Sequence, residues 1–349
     1  MAYGSIIKPS DYFNNKLWTG TGAENSITGV GFQPDMTWIK QRTSSTRDHN
    51  LFDSPRGATK RIYPNLDVAE DTAAQVLKSF DSDGFTLGTD TSANQSSGTY
   101  VAWNWKAGTT SGLSGGTITP SAYSINTESK MGIYTYTGNG SGSQTIAHGL
   151  GATPTCVMFK ELSGSEQWRV HFMSAPNPYT YMLLLNSNAA EGSQSNGLSA
   201  VSSTTITFGS DGAYNLNGDN YVCYIFCDVT GFSKCSSYVG NGSTNGTFAY
   251  TGFKPAFVMV KYAAPGGGVG NWGIFDSARN PSNVVTKGLI ANTDAVEDSS
   301  DFINIVSNGF KQKSASSNRN EDGSTYVYMA FAENPFVANV GGGLPTTAR

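Results

Sequence analysis

Charged side chains are scarce in this sequence: Asp, Glu, Lys and Arg make up 14% of its 349 residues, against roughly 25% in ordinary soluble domains. The net charge is −4 and no Lys/Arg cluster occurs, so the basic surface that nucleic acid binding requires is missing. Apolar stretches such as that around residues 182–185 are far too short to span a membrane. We therefore expect neither nucleic acid nor a membrane-inserted state.

Histidine and cysteine are also few, with three and four residues, which leaves little material for histidine chemistry. Cys223 and Cys227 have C-x₃-C spacing rather than the C-x₂-C spacing of zinc sites. Unpaired, buried thiols are therefore favoured over metal ligands, and we expect no cofactor. The first residues show no basic stretch followed by an apolar one, so no secretory signal is expected and synthesis in the cytoplasm is predicted.

Glycine and aromatic residues are abundant instead. The 41 glycines stand mostly beside Ser, Thr and Asn, which is the composition of turns. Aromatic residues reach 12%, which excludes a disordered chain. A chain of this length with this composition is typical of a strand-and-turn protein with large cores.

Six short motifs occur three times in the same order, beginning with TGTG, TGNG and VGNG. A motif written three times predicts a structural unit copied along the chain rather than one active site. The residues that mark the copies are Pro34, Pro154 and Pro255, Lys40, Lys160 and Lys261, Glu70, Glu191 and Glu297, and Gly84, Gly212 and Gly309.

The spacing of these motifs predicts the domain boundaries. The expected parts are a first unit with an N-terminal arm (1–108), a Gly/Ser/Thr linker (109–129), a second unit (130–231), a third unit (232–336) and an extended tail (337–349). Each unit holds several short apolar runs separated by turn signals, which is typical of a β-sandwich or barrel. We predict an all-β protein of three repeated antiparallel, jelly-roll-like β-sandwiches with short capped helical turns.

The closing motifs YVAWNW, YVCYIF and YVYMAF alternate with period two, as strands do. One face is always large and apolar, and Trp103 and Trp105 share it with Met329 and Phe331 of the third copy. Because methionine and phenylalanine occupy the matching positions, core packing is favoured over a sugar-binding platform for these tryptophans.

The most similar motifs are the decamers GFQPDMTWIK, GATPTCVMFK and GFKPAFVMVK. Gly-x-x-Pro predicts a turn, because glycine accepts positive φ and proline enters a strand where no N–H is needed. The following residues are apolar on both faces, which predicts a strand buried on both sides. The closing lysines, Lys40, Lys160 and Lys261, are expected to mark the exit of each strand to solvent.

Two acidic patterns suggest chemistry but favour structure. FDSDGF resembles the start of a calcium loop, yet across the copies only Ser-Asp/Asn-Gly persists, which predicts hairpin turns at Gly84, Gly212 and Gly309. Glu70, Glu191 and Glu297 follow an Asp or Asn by three residues, the spacing of a capped helical turn. Glycoside hydrolysis would require a second persistent carboxylate, and none is present.

Trp168 and Trp272 are the candidate binding residues. They fall one position apart when the copies are aligned on a shared serine, with His49 near the matching place in the first copy. Exposed aromatic rings at variable loop positions stack on sugars. The alternative is a loop aromatic folded over the end of a sandwich. None of the three copies contains a Gly-x-Ser-x-Gly motif.

The set YTGNG, GFQPDMTWIK, LFDSPRG, SFDSDGFTLG, YVAWNW and the ending ENPF…GLPTTAR resembles virion proteins of marine tailed bacteriophages, including cyanophages. These are described as tail-fibre-like or structural. The second copy departs most, with Met173 and Pro176 in place of the Asp and Arg of FDSxR.

The resemblance implies a non-enzymatic virion protein of the tail-fibre or host-adhesion apparatus. It also implies other virion proteins as partners, a homo-oligomer with a trimer favoured, and localisation in the virion. A capsid decoration or vertex protein and a carbohydrate-binding adhesin that recognises a host surface glycan are the alternatives.

Overall fold

The structure, a computed structural model, describes residues 5–43, 47–264, 268–299 and 302–335. The expected all-β, antiparallel architecture is confirmed, since the strands form antiparallel sheets and helix is confined to single turns. No helix in these ranges has the length and apolar character needed to cross a membrane. The predicted extended tail, residues 337–349, lies outside the described residues.

The first segment forms a four-stranded sheet of order β1-β9-β3-β4, a three-stranded sheet β2-β8-β7 and a pair β5-β6. A 3₁₀ turn over Pro9–Asp11 precedes it. Its elements are β1 (Phe13–Thr19), β2 (Asn25–Thr28), β3 (Met36–Gln41), β4 (Asn50–Asp53), β5 (Lys60–Arg61), β6 (Asp71–Thr72), β7 (Leu77–Asp81), β8 (Gly84–Leu87), α1 (Thr91–Asn94) and β9 (Thr99–Trp105).

The second segment forms a five-stranded sheet of order β10-β11-β19-β13-β14, a three-stranded sheet β12-β18-β17 and a pair β15-β16. Its elements are β10 (Ala122–Asn126), β11 (Met131–Thr137), β12 (Gln144–Ala147), β13 (Cys156–Glu161), β14 (Arg169–Phe172), β15 (Tyr181–Met182), β16 (Gly192–Ser193), β17 (Leu198–Val201), β18 (Thr205–Phe208), α2 (Gly212–Asn215) and β19 (Asn220–Phe226).

The third segment forms a five-stranded sheet of order β20-β27-β22-β23-β24 and a three-stranded sheet β21-β26-β25. Its elements are β20 (Ser233–Val239), β21 (Phe248–Tyr250), β22 (Phe253–Tyr262), β23 (Gly273–Asp276), β24 (Leu289–Ile290), β25 (Ile303–Val306), β26 (Gly309–Gln312) and β27 (Thr325–Pro335). In all three large sheets the closing strand lies between the opening strand and the strand of the decamer.

Each large sheet is covered on one face by the small sheet of its own segment. In the second segment, for example, Tyr136 and Phe159 of the large sheet pack with Ile206 and Phe208 of the small one. Separate clusters fill the same space in the first and third segments. Each segment is therefore a two-layer arrangement with its own core.

The opposite faces of the three large sheets meet in one central core. That cluster includes Trp103, Tyr224 and Met329, which stand in the closing strands β9, β19 and β27. The gap at its centre has a volume of about 10 Å³, which is about the least space that one water needs. The three segments therefore share a close-packed interior rather than lying end to end.

The prediction for the decamer strands is confirmed for burial. Every residue of β3, β13 and β22 is buried, because one face packs on the small sheet and the other on the central core. The glycines that open the decamers, Gly31, Gly151 and Gly252, have φ of 93°, 65° and 84°, as the turn requires. Trp103 and Trp105 are core residues, at 0% and 2% exposure, as expected.

The three prolines of the decamers enter their strands in two ways. Pro34 and Pro154 stand two residues before β3 and β13. Pro255 lies inside β22, where the pairing with β27 shifts register on both sides of it. A bulge tolerates the missing N–H, so proline survives within this central strand.

The expected linker, residues 109–129, is partly built into the fold. It contains β10, which pairs with β11 over five residues. It also contains a bridge from Gly116 to Ile146 of β12. The second segment therefore begins inside the stretch whose composition suggested a flexible connection.

The hairpin turns are predicted correctly in two segments and wrongly in one. Gly84 and Gly309 open β8 and β26 directly after the turn, where a Cβ would come within 1.9 and 2.1 Å of a carbonyl oxygen of the neighbouring strand. Gly212 instead begins α2, which Asp211 caps by accepting from Ala213 N. The Ser-Asp-Gly sequence begins a helix here, because the hairpin turn of the second segment is formed earlier in the chain, by residues 202–204.

Candidate functional site: the seams between the segments

The lysines that close the decamers are buried, so the prediction that they exit to solvent is wrong. Lys40, Lys160 and Lys261 are all 0% exposed. Lys40 Nζ donates to the Asp294 carbonyl of the third segment at 3.0 Å. Lys261 Nζ donates to the carbonyls of Asn188 and Ala189 in the second segment at 3.1 and 2.5 Å. Lys40 and Lys261 therefore link one segment to another, whereas Lys160 Nζ donates to the Glu161 carbonyl of its own strand. We call each contact region between two segments a seam.

Burial favours the neutral form of these lysines over the charged form. It lowers the pKa of Lys40 and of Lys160 to about 8, and the pKa of Lys261 to about 7. Acidic neighbours oppose the shift; the one beside Lys261 is Glu191. An ammonium held among carbonyl oxygens far from water is less favoured than in solution.

His49, Trp168 and Trp272 stand directly before β4, β14 and β23, each opposite one of these lysines in the register of the strand pairs. All three are 0% exposed. Trp168 Nε1 donates to the Tyr63 carbonyl at 2.9 Å, and Trp272 Nε1 donates to the Leu184 carbonyl at 2.8 Å. The exposed ring that sugar stacking needs is missing at both tryptophans, so the prediction that they bind a ligand from loops is wrong.

His49 completes the set at the third seam. Trp38 Nε1 donates to His49 Nδ1 at 2.8 Å, which leaves the Nε2–H of the neutral ring as a donor. That nitrogen lies 3.0 Å from the Ile290 carbonyl of the third segment. Burial lowers the pKa of His49 well below its usual value, which keeps the ring neutral. Each seam thus contains one ring N–H donor. His49 donates from the first segment to the third, Trp272 from the third to the second, and Trp168 from the second to the first.

The persistent glutamates also belong to the seams, and the predicted capped helical turns do not form at them. Glu70 N donates to the Leu162 carbonyl of the second segment, and Glu297 N donates to the Arg42 carbonyl of the first. The Glu70 carboxylate accepts from Arg56 Nη1 at 3.1 Å. The Glu297 carboxylate accepts from Arg279 Nη1 at 3.2 Å and from Arg42 Nε at 2.7 Å. The capping expectation fails because the contacts that fix these residues come from distant parts of the chain.

Glu191 lacks the arginine that its counterparts have. The second segment carries Ala175 three residues after Phe172, where the other segments carry Asp53 with Arg56 and Asp276 with Arg279. Glu191 is 7% exposed, and its Oε2 has no hydrogen-bond partner among the described residues. Burial raises its pKa to about 7, which Lys261 partly opposes.

The buried aspartates reach across two of the seams. Asp53 Oδ2 accepts from Tyr224 Oη of the second segment at 2.5 Å. Asp276 Oδ2 accepts from Trp103 Nε1 of the first segment at 3.0 Å. At the seam between the second and third segments, the register places Phe172 at the aspartate position and Met329 at the donor position. Both members of that pair are apolar, so no buried charge is left without a donor.

A set of repeated asparagines was missed by reading the sequence. Asn94, Asn215 and Asn320 are all 0% exposed. Each Oδ1 accepts from the backbone of the glycine-rich loop that follows the opening strand, at Thr21 N, Asn139 N and Asn241 N. The available signal was spacing, because each asparagine stands six residues before the tyrosine of the closing strand. The residues around these asparagines have the composition of turns, so the repeated spacing was not recognised.

An open groove lies between the first and second segments. Its volume is about 640 Å³, and its walls include Asp35, Ser54, Lys106 and Tyr123. The Asp35 carboxylate already accepts from Ser54 Oγ, Ser124 Oγ and Ala107 N at 2.6, 2.9 and 2.7 Å. The groove therefore presents a satisfied carboxylate rather than a reactive one.

Metal ligation and thiol chemistry find no site in the described ranges. No group of three His, Cys, Asp or Glu residues is placed to hold a metal ion there. All four cysteines are free and buried, as expected, and burial raises the pKa of Cys227 to about 12. A thiol with that pKa stays protonated at neutral pH and is a poor nucleophile.

The model of the domain of unknown function DUF7483 matches residues 8–335. The chain belongs to this family. The DUF7483 match covers β1 through β27, so one family domain contains all three segments and their seams. No curated protein matches the chain, and no solved structure matches it.

Proposed function

We propose that this DUF7483 protein is a non-enzymatic structural protein of a tailed phage virion, in the tail-fibre or host-adhesion apparatus. The likeness of its repeated motifs to marine phage virion proteins supports the phage context. Under this proposal its partners are other virion proteins and its location is the virion.

One observation carries the structural role. Lys40 and Lys261 are buried and donate to carbonyls of another segment. Glu70 and Glu297 also bond across a seam, and although each lines an open groove, of about 410 and 390 Å³, its carboxylate is held by arginine. Catalytic residues must face a space that substrate can enter. Side chains that donate hydrogen bonds to carbonyls of a neighbouring segment stabilise the packing of the segments.

We infer further that the three segments are copies of one β-sandwich arranged around the central core. The shared strand order of the large sheets supports this inference. So does the cyclic use of His49, Trp168 and Trp272 at equivalent register positions. Each copy sets a four- or five-stranded sheet against a three-stranded one, and the jelly-roll connectivity remains a prediction.

A capsid decoration or vertex protein is the second candidate. The shared central core favours it, because three segments packed around one interior make a compact body rather than a thin shaft. The carbohydrate-binding alternative has lost the two tryptophans that motivated it, so a host glycan would have to bind elsewhere on the surface.

Immunogold labelling of intact phage particles, viewed by electron microscopy, tests the proposal. Antibody raised against the full chain is expected to label the tail or its fibres. Label over the head would transfer the assignment to the capsid. Purified particles that carry neither label nor the chain by mass spectrometry would overturn the virion role. Pre-absorption of the antibody with purified protein is the control.

The predicted homotrimer is tested by mass. A single chain has a mass of 37.0 kDa, and light scattering after size exclusion separates one chain from three. The chain already closes three similar seams within itself. A monomer would therefore remove the homotrimer without removing the proposed ring of three copies.

A further inference from the structure

The second segment contains a strand that the other two segments lack within the described ranges. β10 pairs with β11 at the edge of its large sheet, whereas the large sheets of the first and third segments begin with β1 and β20, the counterparts of β11. β10 belongs to residues 109–129, and the junction between the second and third copies is much shorter. In repeat proteins, a stretch added to one copy often lies on the binding face. A ligand site in this chain is therefore expected beside the added stretch.

The added stretch is fixed both to the first segment and to itself. Gly108 N donates to Ser124 Oγ at 2.7 Å, and Ser124 Oγ donates to Asp35 Oδ1 at 2.9 Å. Thr109 and Ile125 form an antiparallel bridge. A wall held in this way has its shape before a ligand arrives, which lowers the entropy cost of binding.

This stretch forms one wall of the groove of about 640 Å³ between the first and second segments. A second groove, of about 410 Å³, shares Pro55, Ser121 and Ala122 with it, so the two are adjacent along the seam and form one cleft. Small-molecule sites in proteins have volumes of roughly 300–1,000 Å³. The cleft therefore has room for more than one unit of a chain-like ligand.

The charges on the walls of this cleft are balanced within the protein. Asp35 and Lys106 are the charged residues of the larger groove among the described residues, and their formal charges cancel. The Asp35 carboxylate also accepts three hydrogen bonds. In the adjoining groove, Arg56 lies between Asp53 and Glu70. A strongly charged ligand would compete with these internal contacts, so the walls favour a neutral ligand.

Several polar groups on the walls retain hydrogen-bonding capacity. The Tyr123 hydroxyl accepts from Leu113 N at 2.8 Å, which leaves its own hydrogen to donate. Ser54 Oγ donates to Asp35 at 2.6 Å, which leaves its lone pairs to accept. Gln33 is exposed and offers both a donor and an acceptor. Sugar hydroxyls donate and accept as well, so they match this mixed set of groups.

The apolar part of the walls is small. None of the exposed large apolar side chains of the described ranges lines either groove, so the anchors that a protein partner normally uses are missing. Pro55 and the ring of Tyr123 remain for the apolar face of a sugar ring.

We propose that the cleft between the first and second segments binds a neutral oligosaccharide. The site gives the proposed host-adhesion role a place on the molecule and rests on that role for its biological purpose. Binding itself requires only the folded chain, because both walls come from the same polypeptide.

Binding of the purified full chain to an array of neutral glucans, mannans and galactans, with sulfated and uronic-acid oligosaccharides beside them, tests the site. At least one neutral oligosaccharide is expected to bind. Thr110→Trp places a bulky ring in the larger groove from an exposed position and is expected to lower that affinity by about tenfold or more. Thr43→Trp is the matched control, because the exposed Thr43 lines a separate groove between the first and third segments. It should leave the affinity unchanged.

Gln33→Ala tests the same site without filling it, and it is expected to weaken binding by about threefold or more, as the loss of one neutral hydrogen bond does. No binding to any neutral oligosaccharide, or binding to the anionic ones alone, would overturn the proposal. Natural affinity in both Thr110→Trp and Gln33→Ala would also overturn it. The array contains no phage, so its failure would remove this site and leave the virion role, which immunogold labelling tests, unaffected.

Discussion

Several charged side chains are buried at the seams, and their hydrogen-bond partners differ from one residue to the next. Lys261 uses three carbonyl oxygens, those of Asn188, Ala189 and Gly270. Glu297 uses two arginines. Glu191 differs from Glu70 and Glu297, because the second segment has no arginine at the position of Arg56 and Arg279. Removing one member of a buried set leaves the others unpaired, so replacing these residues tests their environment directly.

Glu191→Gln is expected to stabilise the protein at alkaline pH. A carboxyl whose pKa rises from 4.5 to about 7 on folding costs no stability below pH 4.5 and its full cost above pH 7. Relative to the natural chain, the variant should gain about 1–2 kcal/mol of unfolding free energy between pH 5 and pH 8. Urea unfolding at the two pH values measures this.

Glu297→Gln is the matched control for that prediction. Its carboxylate serves Arg42 and Arg279, so the variant should lose about 1–3 kcal/mol at pH 8. A Glu191→Gln profile parallel to that of the natural chain at both pH values would contradict the unpaired, buried state of Glu191.

Tyr224→Phe tests the contact between the first two segments. Removing the hydroxyl takes a donor from the buried Asp53 carboxylate, and a hydrogen bond to a charged group contributes about 1.5–3 kcal/mol. The free energy of unfolding at pH 7 should fall by that amount. Tyr179→Phe, at a residue that is 41% exposed, should change it by less than about 0.5 kcal/mol. Equal effects would argue against the seam contact.

At the scale of elements, the features that depend on local sequence pattern could be predicted. The closing strands, the decamer strands and their glycine turns follow from period and turn chemistry, and they are correct. The burial of Lys40 and Lys261 could not be predicted this way, because each donates to a carbonyl of another segment. Lys160 is buried as well, although its acceptor is the neighbouring Glu161 carbonyl. Trp168 and Trp272 appeared one position apart because the alignment used a serine. The ladders show that the second segment pairs Phe172, not Met173, where the others pair aspartate.

The glycine-rich loop after β11 offers a test at this scale. A Cβ on Gly138 would lie 2.2 Å from the Leu216 carbonyl oxygen, whereas a Cβ on Gly142 would meet nothing within 4 Å. Gly138→Ala should therefore lower the free energy of unfolding by about 1–3 kcal/mol, since the loop must shift. Gly142→Ala should leave it within about 0.5 kcal/mol. Chemical denaturation of both variants compares them, and a tolerated Gly138→Ala would refute the close approach.

At the scale of the whole molecule, the central core makes the three segments interdependent. Each large sheet buries one face against the other two segments, through residues such as Trp105, Phe226 and Phe331. A segment taken alone would expose that face to water. The free energy of burying apolar surface scales with its area, so much of the stability of each segment belongs to its neighbours.

The protein should therefore unfold in one transition. Scanning calorimetry is expected to show a single peak whose calorimetric and van't Hoff enthalpies agree. Residues 1–108 expressed alone should fail to give a cooperative transition. Three resolved peaks, or a stable isolated first segment, would show that the segments are independent domains.

The unlike seams follow from having three similar parts in one polypeptide. In an assembly of three identical chains, any substitution would appear at every seam at once. Here Phe172 and Met329 replace a polar pair at one seam, while Asp53 with Tyr224 and Asp276 with Trp103 remain at the others. Covalent linkage therefore lets each joint evolve separately. It also fixes the number of segments at three, so the three seams can differ in chemistry within one molecule.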